Sequence, residues 1–382
     1  MSLSRRQLMG GLGAACCLAA HPLVTPLAFA AAPGERRLVV IVLRGAMDGL
    51  AAVQPVSDPG WAALRPGGAG AGEPVGRGAF AIHPALEPLR PLWEASEAGA
   101  VHAVSTPYRD RRSHFDGQDL LEAGVGPGAP AALRREGWLN RLLQSMPGGG
   151  PRAAFAVGRE EMLILSGPAE VAEWAPRTRL ELGPQARLLL GHLYAGDPLL
   201  AAAAEEAADL AQIADGGQER LAPAVALARF AADRLREESR IAAFSLGGWD
   251  THRAQERPLS RALGALSEAV LELRARLGPV WRDTAVLAVT EFGRTARING
   301  SGGTDHGTAG AMLTAGGALR GGEVLADWPG LADLYAGRDL MPTRDVRAHL
   351  AWALHALFGT PRAALEGTVF PGLDMGPRSG LV

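Results

Sequence analysis

Cysteine is almost missing from this chain: among 382 residues only Cys16 and Cys17 carry a thiol, side by side near the start. Both fall in a segment read below as a removable leader. The mature protein is therefore expected to have no thiol, which excludes disulfide staples and thiolate metal ligands. No stretch beyond the leader has the roughly 18 uninterrupted apolar residues that a membrane-spanning helix needs. An excess of positive charge is lacking as well, with a formal net charge of -2, so composition argues against a nucleic-acid partner. What the chain does have is 47% hydrophobic residues, enough for an ordinary buried core.

The first 30 residues read as an export signal. Ser4-Arg5-Arg6-Gln7-Leu8-Met9 forms a twin-arginine pattern, residues 10–20 are apolar, and Ala28-Phe29-Ala30 offers a small-x-small cleavage site. The expected partner is the twin-arginine export machinery, the expected location periplasmic or secreted, and the leader is expected to stand outside the fold. Losing Arg5 and Arg6 with no acid takes the charge from -2 to -4. Roughly 350 residues remain, enough for one large α/β domain or two smaller ones.

Runs of small and β-branched apolar residues at 38–43, 100–105, 241–246 and 283–290 predict strands, several of them parallel and buried. Residues 311–317 return to a strand-like pattern after a glycine-rich turn. Short strands are expected at 153–157 and 162–165. Helical patterns cover 85–93, 133–146 and 258–277, and the Ala/Leu/Glu-rich stretch 184–238 predicts a helical layer without chemistry. The fold class is α/β.

In an open α/β sheet, the loops leaving the carboxyl ends of strands are where ligands bind. Asp48 follows the first strand, as a turn residue or a metal ligand. After the second strand, Ser113 is either a helix N-cap, with Asp116 completing a capping box, or a nucleophile beside the free N–H groups of a helix start. Arg112 beside it suits an anion, and His114 is a substrate contact or a ligand. Asp250 and His252, two apart in an extended segment, face the same way, as two ligands of one ion must. Glu291, Arg294, Asp305 and His306 follow the fourth strand. Asp305 and His306 are adjacent and face opposite ways; His306 is favoured as ligand, with Asp305 binding a neighbouring ion or orienting a histidine. The metal set Asp48, Asp250, His252, Glu291, Asp305 and His306 is all oxygen and imidazole. It suits one or two divalent ions such as zinc, manganese or magnesium.

The motifs LRGAMDGL, RRSHFDGQDLLEAG, GGWDTH, TEFGRT and GTDHG, in that order behind a twin-arginine leader, resemble the bacterial domain-of-unknown-function family fifteen-oh-one. That family looks like a branch of the alkaline phosphatase-like superfamily of phosphatases and sulfatases. The resemblance implies a mostly parallel sheet between helical layers, forming a single domain over residues 31–382 with a helical insertion at about 184–238. It further implies metal ligands at Asp48, Asp250, His252, Glu291 and His306, and a nucleophile at Ser113. Two departures stand out. Glu291-Phe292 replaces the superfamily's Asp-His, removing one imidazole, and the spacing from Asp250 to His252 is tight. The sequence around Ser113 also lacks a sulfatase modification motif.

The resulting expectation is an exported metal-dependent hydrolase of phosphate or sulfate esters. Ser113 or an activated water would attack, and Arg112, His114 and Arg294 would hold a small anionic ester or a sulfated or phosphorylated glycan. The competing expectation is a noncatalytic envelope binding protein on the same fold.

Overall fold

The computed structural model describes residues 27–30, 35–66, 72–109, 111–146, 156–157, 162–169, 171–174, 222–237 and 239–382. Its strands are β1 Leu27–Ala30, β2 Arg37–Leu43, β3 Val53–Gln54, β4 Glu73–Val75, β5 Phe80–Ile82, β6 Ala98–Ser105, β7 Ala156–Val157, β8 Ala172–Trp174, β9 Ile241–Leu246, β10 Thr284–Val289, β11 Gly310–Ala315, β12 Val324–Leu325 and β13 Arg344–Asp345.

Every residue of β2, β9 and β10 is buried. They pair in parallel, β2 in the middle, with Val39 opposite Val286 and Ala242. Continuous apolar runs become strands here because a parallel sheet is covered on both faces. Alternate side chains then feed two separate cores. Val39, Ile41 and Leu43 pack with helices α3 Pro223–Arg236 and α4 Glu256–Leu277, while Leu38, Val40 and Val42 pack with α2 Trp138–Ser145 and α5 Val346–Phe358. Burying one such valine or isoleucine contributes about 1.5–3 kcal/mol. A charge at Val40 or Ile41 would break one layer.

The large sheet runs β12-β6-β11-β10-β2-β9-β1-β7-β8, with β13 also on β6. Strand β11 is antiparallel to both β10 and β6, so β6 points the same way as β10, β2 and β9. The chain is an α/β protein with a mixed, mostly parallel sheet packed against helices. Strands β3, β5 and β4 make a small separate sheet.

Four expectations need adjustment. Residues 162–165 are not a strand: Leu163–Leu165 is a 3-10 turn, its Ile164 amide held by the buried carboxylate of Glu122. The helix expected over 133–146 is split into a turn at Leu133–Arg135 and α2, with Gly137 between them in extended backbone. Helix α4 starts before Pro258, since a proline in the first turn removes an N–H that has no partner there anyway. Finally, Leu27–Ala30, inside the segment expected to be a leader outside the fold, pairs as β1 with Ile241 and Ala242 of β9. Most of 184–238 lies outside the described residues, which include only α3 and its ends, and so does the twin-arginine motif itself. Among the described residues no helix is long and apolar enough to cross a membrane.

Candidate metal centre

Because β2, β6, β9 and β10 all point one way, the loops that follow them gather at one rim of the sheet. Helix α1, His114–Ala123, follows β6. Ser113 is its N-cap in extended backbone, its hydroxyl accepting from the Asp116 amide at 3.5 Å, and its own amide donates to the Tyr108 hydroxyl at 2.9 Å. This puts His114 on the first helical turn, facing the loop after β9. That loop is anchored by Trp249, fully buried, whose indole N–H donates to the Leu246 carbonyl. Two glycines let the loops close up. Gly45, at φ +117°, lies where a Cβ would stand 2.7 Å from the Asp250 amide, and a Cβ on Gly303 would stand 2.2 Å from the carbonyl carbon of His252.

Asp250 is the hub. Its carboxylate oxygens lie 3.4 Å from His114 Nε2, 3.4 Å from His306 Nε2 and 3.0 Å from His252 Nε2, and the Nε2 atoms of His252 and His306 are 2.9 Å apart. In each ring the other nitrogen, Nδ1, meets an oxygen: Glu291 Oε1 at 2.8 Å for His114, the Arg112 carbonyl at 2.8 Å for His306, and Asp305 Oδ1 at 3.3 Å for His252. A proton on Nδ1 leaves the Nε2 lone pair free to bind a cation, the usual support given to metal-binding histidines. His114 Nε2 is buried and has no hydrogen-bond partner, which few buried polar atoms lack. His114, Asp250 and His306 form a group whose ligand atoms all lie within 4.8 Å of one another and could hold one metal ion. With zinc–nitrogen bonds near 2.0–2.1 Å, ligand atoms of a tetrahedral site stand about 3.3 Å apart, close to the spacing found here. The donor set therefore fits a divalent ion.

Charge reinforces the geometry. Burial alone would push the Asp250 carboxyl up, but the hydrogen bond and charge of Arg294 outweigh it and hold it below the ordinary range. The hydrogen bond to Glu291 raises the His114 imidazole, while burial, and then the nearby His114 charge, lowers His306. The hydrogen bond from Asn299 comes first in holding Asp305 low.

The remaining expected residues are placed as follows. Arg294 is buried, giving hydrogen bonds to the carbonyls of Ala46, Thr304, Gly45 and Trp249 and a 2.6 Å contact to Asp250 Oδ1. Its guanidinium is thus a support for Asp250, not an arm extended to a ligand. Arg112, at φ +50° in the left-handed region, aims its carbonyl at His306 and its guanidinium at Asp339, 3.0 Å away. Glu291 is fully buried. Asp48 stands outside the group: both oxygens contact Arg65, at 2.8 and 3.2 Å, and Gln255 donates to one of them. Burial alone would raise its carboxyl, but Arg65 holds it low.

Sequence reasoning missed Asp339, Arg65 and the part played by Phe292. The ring of Phe292 packs against both His114 and His306, with centroids 5.2 and 5.3 Å away. The two imidazoles also meet each other edge-on, with centroids 4.2 Å apart, so Phe292 flanks the pair as its apolar wall. Nothing in the surrounding YAGRDL and WAALRPG segments marks Asp339 or Arg65 as site residues.

An α/β sheet with a His-Asp-His group at its rim, able to hold one cation, defines the class. Residues 96–357 match the family described as "Protein of unknown function (DUF1501)", more than half of the chain, and the protein belongs to that family. No curated protein matches it.

Proposed function

We propose that the protein is an exported metal-dependent hydrolase of phosphate or sulfate esters, built as one alkaline phosphatase-like domain. One observation carries this reading: His114 Nε2 is buried without a partner, opposite Asp250 and beside His306. His114, Asp250 and His306 would hold a divalent ion, with His252 within reach and Asp305 behind it. When bound, such an ion would supply positive charge that polarises an ester oxygen and favours attack at the phosphorus or sulfur that bears it.

The chain's own residues would do the rest. Ser113 precedes His114 at the start of α1, where free amides and the helix dipole favour a negative group. Its hydroxyl is the nucleophile offered here, with a water molecule as the other choice. The Arg112 guanidinium, held by Asp339, is offered for the anion. Arg294 keeps Asp250 ionised.

The test is turnover of a panel of aryl phosphate, phosphodiester and sulfate esters by chelator-treated protein with and without added zinc, manganese or magnesium. Turnover that depends on metal and falls in Ser113→Ala supports the reading. Metal-loaded protein inert to the whole panel would sink it and leave the second reading, a noncatalytic envelope protein with one bound ion. What favours that second reading is the engagement of both Asp48 oxygens by Arg65, which occupies the carboxylate a second ion would need.

A further inference from the structure

Glu291 has the residue type and the position of a metal ligand, yet its oxygens are already in use. Oε1 accepts from His114 Nδ1 at 2.8 Å, from the Gly45 amide at 3.0 Å and from the Gln118 side-chain amide at 3.1 Å. Oε2 lies 3.0 Å from the Thr290 hydroxyl. The residue has no exposed surface. A cation could reach it only by displacing several of these bonds and leaving a buried amide unpaired, at about 1–3 kcal/mol for each such group. His114, by contrast, turns its unpartnered nitrogen away from Glu291 and toward Asp250.

We infer that Glu291 is a positioning residue that touches no ion: it fixes the tautomer and ring angle of His114, so that the Nε2 lone pair meets the cation. Gly45 and Gln118 hold the carboxylate still, and Phe292, stacked on the His114 ring at an interplanar angle of 24°, stops the ring from rotating. The first-turn histidine thereby gains a fixed direction that its helix alone would not give it. This inference rests on the metal-centre part of the proposed function and not on hydrolysis.

The experiment measures zinc affinity of the full-length protein by competition with a chromogenic chelator, for wild type, Glu291→Gln, His114→Ala and the double variant. A residue acting from behind a ligand is worth about 10–100-fold in metal affinity. Glu291→Gln is therefore expected to weaken zinc by that factor, His114→Ala by more, and the double variant by no more than His114→Ala alone. In metal-free wild type, nitrogen NMR of the imidazoles should show His114 protonated on Nδ1, and Glu291→Gln should disturb that signal while the other histidine signals stay in place. Losses that add in the double variant would make Glu291 an independent ligand and overturn the inference, as would an unchanged affinity in Glu291→Gln. Failure of the wild type to take up zinc would overturn the metal centre as a whole. Zinc uptake without ester turnover would leave the inference standing and remove only the hydrolase.

Discussion

Two aspartates follow two parallel neighbouring strands, and the protein uses them in opposite ways. Asp48, after β2, has a side chain 1% exposed and is gripped by the equally buried fork of Arg65. Asp250, after β9, has a side chain 46% exposed, takes one contact from the buried Arg294 and turns to three imidazoles. The two begin alike, at strand ends beside glycine. What separates them is whether a planar guanidinium can satisfy both oxygens. A carboxylate paired in that manner is neutralised and closed, and its charge holds loops together. A carboxylate with one arginine behind it and histidines in front keeps coordinating capacity for something that is not protein.

The sharpest way to break the contrast is at the closed pair. Arg65→Ala leaves a buried carboxylate without its partner and should cost about 3–5 kcal/mol, read as a large fall in Tm, with zinc affinity little changed. An unaltered Tm, or zinc binding lost while the fold persists, would place Asp48 in the metal centre after all. At the open carboxylate the balance should reverse. Zinc at a hundred times its Kd should stabilise the wild type by about 2.7 kcal/mol and Asp250→Asn not at all, while the metal-free melting curves of the two stay close. Equal stabilisation of both proteins would show that Asp250 holds no ion.

The smallest effect concerns histidines outside both sites. Burial, with Arg344 nearby, pushes His349 down to about 3, and burial pushes His102 down to about 4. Unfolded, each takes up a proton near pH 6.5, so stability is complete above that pH. It is then lost as pH falls toward the folded-state values. His349 alone should cost about 2 kcal/mol by pH 5. His349→Gln should flatten the fall of the urea midpoint between pH 7 and 5 in metal-free protein. A slope identical to that of the wild type would show that His349 is already charged in the fold.

The sheet was readable in the sequence because burial on both faces writes long apolar runs, and β9 has the same limits in both readings, Ile241–Leu246. That Asp250 and His252 share a side was readable for a related reason, since alternation along an extended segment brings every second side chain together, and the two meet at 3.0 Å. Partners were not readable. That Asp48 would meet Arg65, or His114 meet Glu291, depends on how loops fold over the rim, and neither period nor composition encodes it. Residue type also misled at Arg294, where a guanidinium suited to an anion proved to be wrapped in carbonyls. The 3-10 turn at Leu163–Leu165 was hidden because a short apolar run reads as a strand until the amide of Ile164 is seen on Glu122.

The donors at the rim come from the start of helix α1 after β6, the loop after β9 and the glycine-rich turn before β11, stretches far apart along the chain. No local segment can assemble them, so the centre exists only once long-range strand pairing has closed the intervening loops. An ion held there would tie three distant stretches together like a rivet driven after the plates are aligned. Its escape rate would then report on partial opening of the rim well before the sheet itself comes apart.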